Sequence, residues 1–158
     1  KERARLLLLE LIKNSKRSDR EIAKVLRVSQ PTITRLRKRL EKEAIANYTV
    51  IPDFPTLEYE LMAFTLMSST GAKSDLIEKA KEWARKRPNV IFASQGEGMN
   101  MSGVMISLHK SFGEYSRFML ELRKDWSEIL KDVQTFMVSF EDSVVIKPFS
   151  LTYLGEAK

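Results

Sequence analysis

Cysteine is absent from this 158-residue chain, and histidine occurs once, at His109. The first absence excludes a disulfide framework and a thiolate metal site, and it fits a cytoplasmic setting. The second leaves no histidine pair for a catalytic dyad or a usual zinc set, so neither metal nor cofactor is expected. Only six glycines are present, and none falls in the G-x-x-x-x-G-K-[ST] pattern that cradles phosphates. Long apolar runs are missing too. LLLLELI near the start is interrupted at Glu10, short of the roughly 20 residues a membrane span needs. It also lacks the small-residue cleavage pattern of a leader. Neither membrane insertion nor an enzyme is expected. The composition is otherwise ordinary and globular, 43% hydrophobic and 30% charged, with enough chain for one domain or two small ones.

The net charge of +6 is unevenly placed. Residues 1–58 carry 14 Lys and Arg against 8 Asp and Glu, which accounts for the whole excess, while residues 59–158 carry 13 of each. A basic first third points to a polyanion as its partner, and a neutral remainder points to another task.

Local signals divide the first third into helices. Leu8, Leu9, Leu11 and Ile12 give a broad apolar face over residues 2–13, and Asn14-Ser15 ends it. Ser18-Asp19-Arg20-Glu21 reads as a capping box that starts a second helix. Ser29 is a good N-cap for a third, with Pro31 in the first turn, where its missing N–H costs nothing. Ile22, Ala23, Leu26, Val28, Ile33 and Leu36 then form the buried set of a helix-turn-helix. Small Ala23 lets the crossing helix approach. Arg27 stands where such turns favour glycine, and a left-handed conformation there costs roughly 1 kcal/mol.

On the third helix, Ile33, Leu36 and Leu40 share one side. Pro31, Thr34, Arg35 and Lys38 take the other, flanked by Thr32 and Arg39, with Gln30 at the N-terminal end. The N-terminal half of such a helix enters the major groove. Gln30 and Arg35 suit base edges, as amide to adenine and guanidinium to guanine. Lys38, Arg39, Arg17 and Arg20 suit phosphates, as do the first amides behind Ser29. Arg37, beside the apolar stripe, reads as a solvated charge. Ile45, Tyr48, Val50 and Ile51 follow as a short extended segment, a wing or a strand leading out. Pro52-Asp53-Phe54-Pro55 marks a stiff linker. The boundaries expected are a helix-turn-helix domain over 1–51, a linker over 52–58 and a second domain over 59–158.

The stretch LLLLELIKNSKRSDREIAKVLRVSQPTITRLRKRLEKEAIANYTVIPDF resembles the Lrp/AsnC, or feast/famine, transcription regulators of bacteria and archaea. That family's pattern runs from an aliphatic first helix through REIAKxLGxS to a recognition helix ending LEKEGxI and an extended segment with tyrosine. The chain departs at Arg27 and Ala44, where the family commonly has glycine. The resemblance implies sequence-specific binding of double-stranded DNA at a palindromic site, a homodimer or a higher oligomer built from it, and a small-molecule effector such as an amino acid.

The remaining hundred residues read as β-α-β-β-α-β. Residues 59–69 alternate with apolar residues on both faces: Leu61, Ala63 and Met67 on one, Met62, Phe64 and Leu66 on the other. Ser74 caps a helix bearing Leu76, Ile77, Ala80, Trp83 and Ala84 that ends before Pro88. Residues 90–94 form a second strand, and Val104, Ile106 and Leu108 set the core side of a third, with His109 opposite. Tyr115, Phe118, Met119 and Leu122 stripe a second helix, and residues 133–140 form a fourth strand. This is the ferredoxin-like arrangement, and with the (winged) helix-turn-helix it makes an α+β protein. It is also the effector and oligomerisation domain that the resemblance implies.

Two helices cover one face of a four-stranded sheet, so the other face would be bare in a monomer. Sheet-to-sheet dimerisation removes it, unless the terminal stretch covers it instead. Residues 144–154 read as a further extended segment. Between strands two and three, Gly96 matches the family's Gly-x-Tyr-Asp-like motif near its amino-acid pocket, while the tyrosine and aspartate positions read Gly98 and Met99. Gly96, Gly98, Asn100 and Ser102 are the effector-binding candidates, against a plain flexible hairpin turn. Two other classes compete: a small-molecule sensor that does not bind DNA, and a relative of AsnC-like haem-precursor decarboxylases, which depend on histidine in the second domain. The concentrated positive charge opposes the first, and the single histidine opposes the second.

Overall fold

The capping box at Ser18 and the N-cap position of Ser29 start the second and third helices where the sequence puts them. The computed structural model describes residues 1–70 and 74–156. The chain divides into two compact units, residues 1–51 with the terminal stretch from Lys147, and residues 52–146.

The first unit contains α1 (Glu2–Lys13), α2 (Asp19–Leu26), α3 (Gln30–Glu43) and α6 (Thr152–Glu156). Its core is Ala4, Leu7 and Leu11 of α1, Ile22 and Ala23 of α2, and Ile33 and Leu40 of α3. Leu26, Val28, Leu36 and Ile45 pack against it. Residues 44–51 have no regular secondary structure. The wing expected there does not form among the described residues. Ile45 joins the helical core instead, and the Tyr48 hydroxyl donates to Glu41 at 3.1 Å.

The terminal stretch also differs from expectation. It belongs to the first unit, and part of it is helical: α6 packs on α1. The LLLL run makes sense in this light, because α1 has a third neighbour besides α2 and α3. Buried Gly155 is the point of closest approach. A Cβ there would lie 2.5 Å from Lys13 Cγ and 2.9 Å from the Leu9 carbonyl oxygen. The lysine can swing away; the backbone carbonyl cannot. Gly155→Val is therefore expected to lift α6 and destabilise the first unit by about 1–3 kcal/mol. Thermal melting followed by helical circular dichroism reads this, and an unchanged melt would mean that α6 does not rest on α1.

The second unit has β1 (Leu61–Ser69), α4 (Ser74–Arg85), β2 (Val90–Gly98), β3 (Met101–His109), α5 (Phe112–Asp125) and β4 (Leu130–Ser139). Its antiparallel sheet has the order β2-β3-β1-β4, the ferredoxin-like topology. Ser111 caps α5 by accepting from the Glu114 amide at 3.1 Å. The cap expected of the Ser74 side chain lies outside what the structure describes. Residues 52–58 are no free linker: they belong to this unit. Asp53 accepts from Thr56, closing a 3-10 turn over Pro55–Leu57, and Phe54 stacks on Phe140 at 5.3 Å.

Register assigns the two sheet faces. The row Ala93–Met105–Thr65–Thr135 lies under the helices, where Met105 packs with Phe118, Met119 and Leu122 of α5. The next row, Phe92–Ile106–Phe64–Phe136, faces away from them. Val104, Ile106 and Leu108, expected from sequence on the core side, thus lie on the face turned away from the helices, where Leu108 is nonetheless buried. Met105, Ser107 and His109 are on the helix-packed side, and all three are buried. Phe136 is 72% and Phe92 50% exposed at the two ends of the aromatic row.

Candidate nucleic-acid interface

The turn between α2 and α3 is closed by a Schellman pattern. Val28 N–H donates to the Ala23 carbonyl at 3.0 Å and Arg27 N–H to that of Lys24 at 3.4 Å. The geometry forces Arg27 into the left-handed region, at φ 52° and ψ 48°, as its glycine-favouring position predicts. The capping box forms in full: the Ser18 hydroxyl accepts from the Glu21 amide, and the Glu21 carboxylate accepts from the Ser18 amide at 2.7 Å. Ser29 occupies the N-cap of α3 in extended conformation, with Pro31 in the first turn. Its hydroxyl pairs with the Thr32 hydroxyl at 2.8 Å rather than with a backbone amide.

An ion-pair clamp sets α3 against α2. Asp19 accepts from Arg37 Nε at 2.6 Å and from the Thr34 hydroxyl at 2.6 Å, while Arg37 Nη2 donates to the Arg17 carbonyl at 3.0 Å. Burial pushes the Asp19 carboxyl up, but the Thr34 and Arg37 hydrogen bonds outweigh it and leave the group below its ordinary range. Arg37 is accordingly not the solvated charge expected from sequence; it is a partly buried strut. The only hint was its place beside the apolar stripe, with an acid at the start of α2. Behind the clamp, buried Glu10 pairs with Lys13 at 2.7 Å and with Arg17. The Lys13 hydrogen bond holds its carboxyl below the usual range against the opposing effect of burial, and Lys13 and Arg17 charges add to that.

The ten candidate DNA-contacting residues therefore fall into two sets. Gln30, Pro31, Arg35, Lys38, Arg39 and Arg20 are exposed. The side chains of Gln30, Arg20, Arg35 and Lys38 have no hydrogen-bond or ion-pair partner among the described residues. Arg39 makes only a loose 3.7 Å pair with Glu43. Arg17, Ser29, Thr32 and Thr34 are engaged within the unit.

The effector candidates are only partly gathered. β2 ends at Gly98 and β3 begins at Met101, so the stretch is a hairpin with a two-residue turn, the plain alternative given from sequence. Met99 and Asn100 both have positive φ there, at 50° and 59°, the pattern of a type I′ hairpin. Gly98, Asn100 and Ser102 border an open concavity of about 530 Å³ with Ser69 and Lys131, whereas Gly96 does not. The Ser102 hydroxyl accepts from the Ser69 amide at 3.2 Å.

Ser107 and His109 resemble a nucleophile and its base, but their burial makes the pair unusable for catalysis. His109 Nε2 lies 2.8 Å from the Ser107 hydroxyl, but both residues are fully buried and His109 Nδ1 has no partner. No substrate could reach that hydroxyl, and no third group orients the ring.

A helix-turn-helix unit joined to a ferredoxin-like unit is the architecture of the Lrp/AsnC transcriptional regulators, and the chain has that fold. The homeodomain-like domain family matches residues 1–46. Among solved structures, a transcriptional regulator of Neisseria meningitidis in complex with L-methionine is 21% identical with a TM-score of 0.73, over 94% of this chain and 95% of that one. An AsnC family regulator of Agrobacterium tumefaciens is 15% identical with a TM-score of 0.73, over 96% and 97%. AsnC of E. coli is 18% identical with a TM-score of 0.71, over 92% and 95%. No curated protein sequence matches the chain. No helix among the described residues is long and apolar enough to cross a membrane.

Proposed function

We propose that this chain is a sequence-specific, DNA-binding transcriptional regulator of the Lrp/AsnC family, acting in the cytoplasm as a homo-oligomer on a palindromic site. The observation that carries this reading is the unpaired outer side of α3. Gln30, Arg35 and Lys38 are exposed, basic or amide-bearing, and without a side-chain partner among the described residues, while the clamp engages Arg37 and Thr34. Charges free of internal partners are available to a polyanion. The helix-free sheet face supports self-association, which would bring two recognition helices to one duplex.

Selection from a random duplex pool followed by anisotropy titration tests the reading. Arg35→Ala is expected to cost about 1–3 kcal/mol and relax base preference, whereas Lys38→Ala weakens binding to all sequences and lowers the salt slope by about 1. Salt-insensitive binding that neither substitution alters would sink the proposal. The finer part is a small-molecule effector, such as an amino acid, at the concavity beside Asn100, Ser102 and Lys131. Its polar lining suits a carboxylate and an ammonium, and the Neisseria regulator was solved with L-methionine. Repeating the titration with each L-amino acid tests it; curves unchanged throughout would remove the effector.

A further inference from the structure

We infer that Arg27 is a DNA-phosphate contact installed in the turn between α2 and α3, in a position whose backbone favours glycine. The inference rests on the DNA-binding reading above. Arg27 has φ 52° and ψ 48°, a conformation in which any side chain is strained and glycine is not. The Schellman hydrogen bonds fix that conformation whatever residue stands there. Strain of this kind persists where the surrounding structure over-determines it, as these cap hydrogen bonds do, so what calls for a reason is an arginine in place of the strain-free glycine. The Arg27 side chain is exposed and makes no hydrogen bond or ion pair among the described residues.

A cation near the C-terminal end of α2 gains from the helix dipole. Lys24 already sits in that last turn without backbone strain. A second charge there instead adds to a unit that carries the chain's whole positive excess, with Arg20, Lys24, Arg35 and Lys38 among its cations. In the free protein the residue therefore carries backbone strain and adds one more positive charge to an already basic unit. A polyanion reverses the electrostatic part. The turn leads directly into Ser29 and Gln30, the end of α3 that approaches the duplex in this motif. A guanidinium presented there can take a phosphate by two parallel hydrogen bonds.

The test separates this role from a structural one because the two move in opposite directions. Arg27→Gly relieves the backbone, so its thermal midpoint should equal or exceed that of the wild type. Its affinity for a fluorescein-labelled random-sequence duplex of about 25 base pairs should nonetheless fall about five- to tenfold, with the slope of log K on log salt reduced by about 0.9. Arg27→Lys, which keeps the charge and the strain, should retain the wild-type slope. Wild-type affinity and slope in Arg27→Gly would overturn the inference, as would an Arg27→Lys chain that loses as much slope as the glycine variant. A wild type with no salt-dependent duplex binding overturns the DNA-binding reading itself. A wild type that binds while Arg27→Gly binds equally well overturns only the role of Arg27.

Discussion

Phe136→Asp is expected to abolish the self-association proposed for the open sheet face, weakening it about a thousandfold. Phe136 ends the cross-strand row Phe92–Ile106–Phe64–Phe136 on the sheet face that α4 and α5 leave open. With Phe136 72% exposed, its replacement costs the isolated unit little, so the fold should survive. In a two-fold dimer each interface residue acts twice. Losing a buried aromatic anchor costs about 2 kcal/mol or more, so the pair costs at least about 4 kcal/mol, or roughly a thousandfold in Kd. The carboxylate adds desolvation in the same direction. Sedimentation of the wild type and the variant over a concentration series reads the effect, with circular dichroism as the control for folding. A wild type that stays monomeric throughout would show that this face is not the interface. DNA binding gives a second readout. A chain that cannot dimerise keeps its charged helix but should lose the preference for two correctly spaced half-sites.

The helix-turn-helix was legible almost to the residue because its signals are local. A capping box, a proline in the first turn and a glycine-favouring position at Arg27 each act within a few residues, and all three took the expected form. The sheet was legible as a topology but not as two faces. Val104, Ile106 and Leu108 alternate with Met105, Ser107 and His109, and the more apolar set reads naturally as the core. The structure buries Ser107 and His109 because they hydrogen-bond each other, at 2.8 Å, which removes much of the penalty that would send them outward. Arg37 was misread for a related reason: its partner Asp19 lies 18 positions away in sequence. The α6 docking depended on Gly155 meeting the back of α1 from the far end of the chain, and no local pattern carries that. Among the DNA candidates, sequence alone placed Thr34 beside Arg35. Only the fold shows that the Thr34 hydroxyl is committed to Asp19.

Acidification is expected to loosen the second unit before the first, and His109 is the reason. Its ring is fully buried under α5, edge-on to Tyr115 with centroids 5.3 Å apart and tilted against Phe118 at 5.0 Å. Nδ1 has no partner, so a second ring proton would be buried without an acceptor. Burial pushes the His109 pKa below its ordinary value of 6.5, and the Glu114 carboxylate on α5 opposes this only in part. Below pH 6.5 the unfolded chain therefore takes up a proton that the native chain refuses. The stability is present above the unfolded value and is lost as pH falls toward the folded one, at up to about 1.4 kcal/mol per pH unit for one proton. In the first unit, Glu10, Asp19 and Glu21 have carboxyls held below their ordinary 4.5, 3.8 and 4.5. Their contributions are lost only as pH falls below those values and through the lowered ones. The two windows are separable, because both tryptophans of the chain, Trp83 and Trp126, lie in the second unit. Urea midpoints from tryptophan fluorescence should fall between pH 6.5 and 4.5, while the larger share of the helical circular dichroism, which comes from α1, α2, α3 and α6 rather than from α4 and α5, holds until lower pH. Replacing both hydrogen-bonding partners with apolar groups, as in Ser107→Ala/His109→Leu, leaves no orphaned polar atom from the pair. That variant should lose the fluorescence-detected slope in this window. If it keeps the wild-type slope, His109 is not the group that titrates.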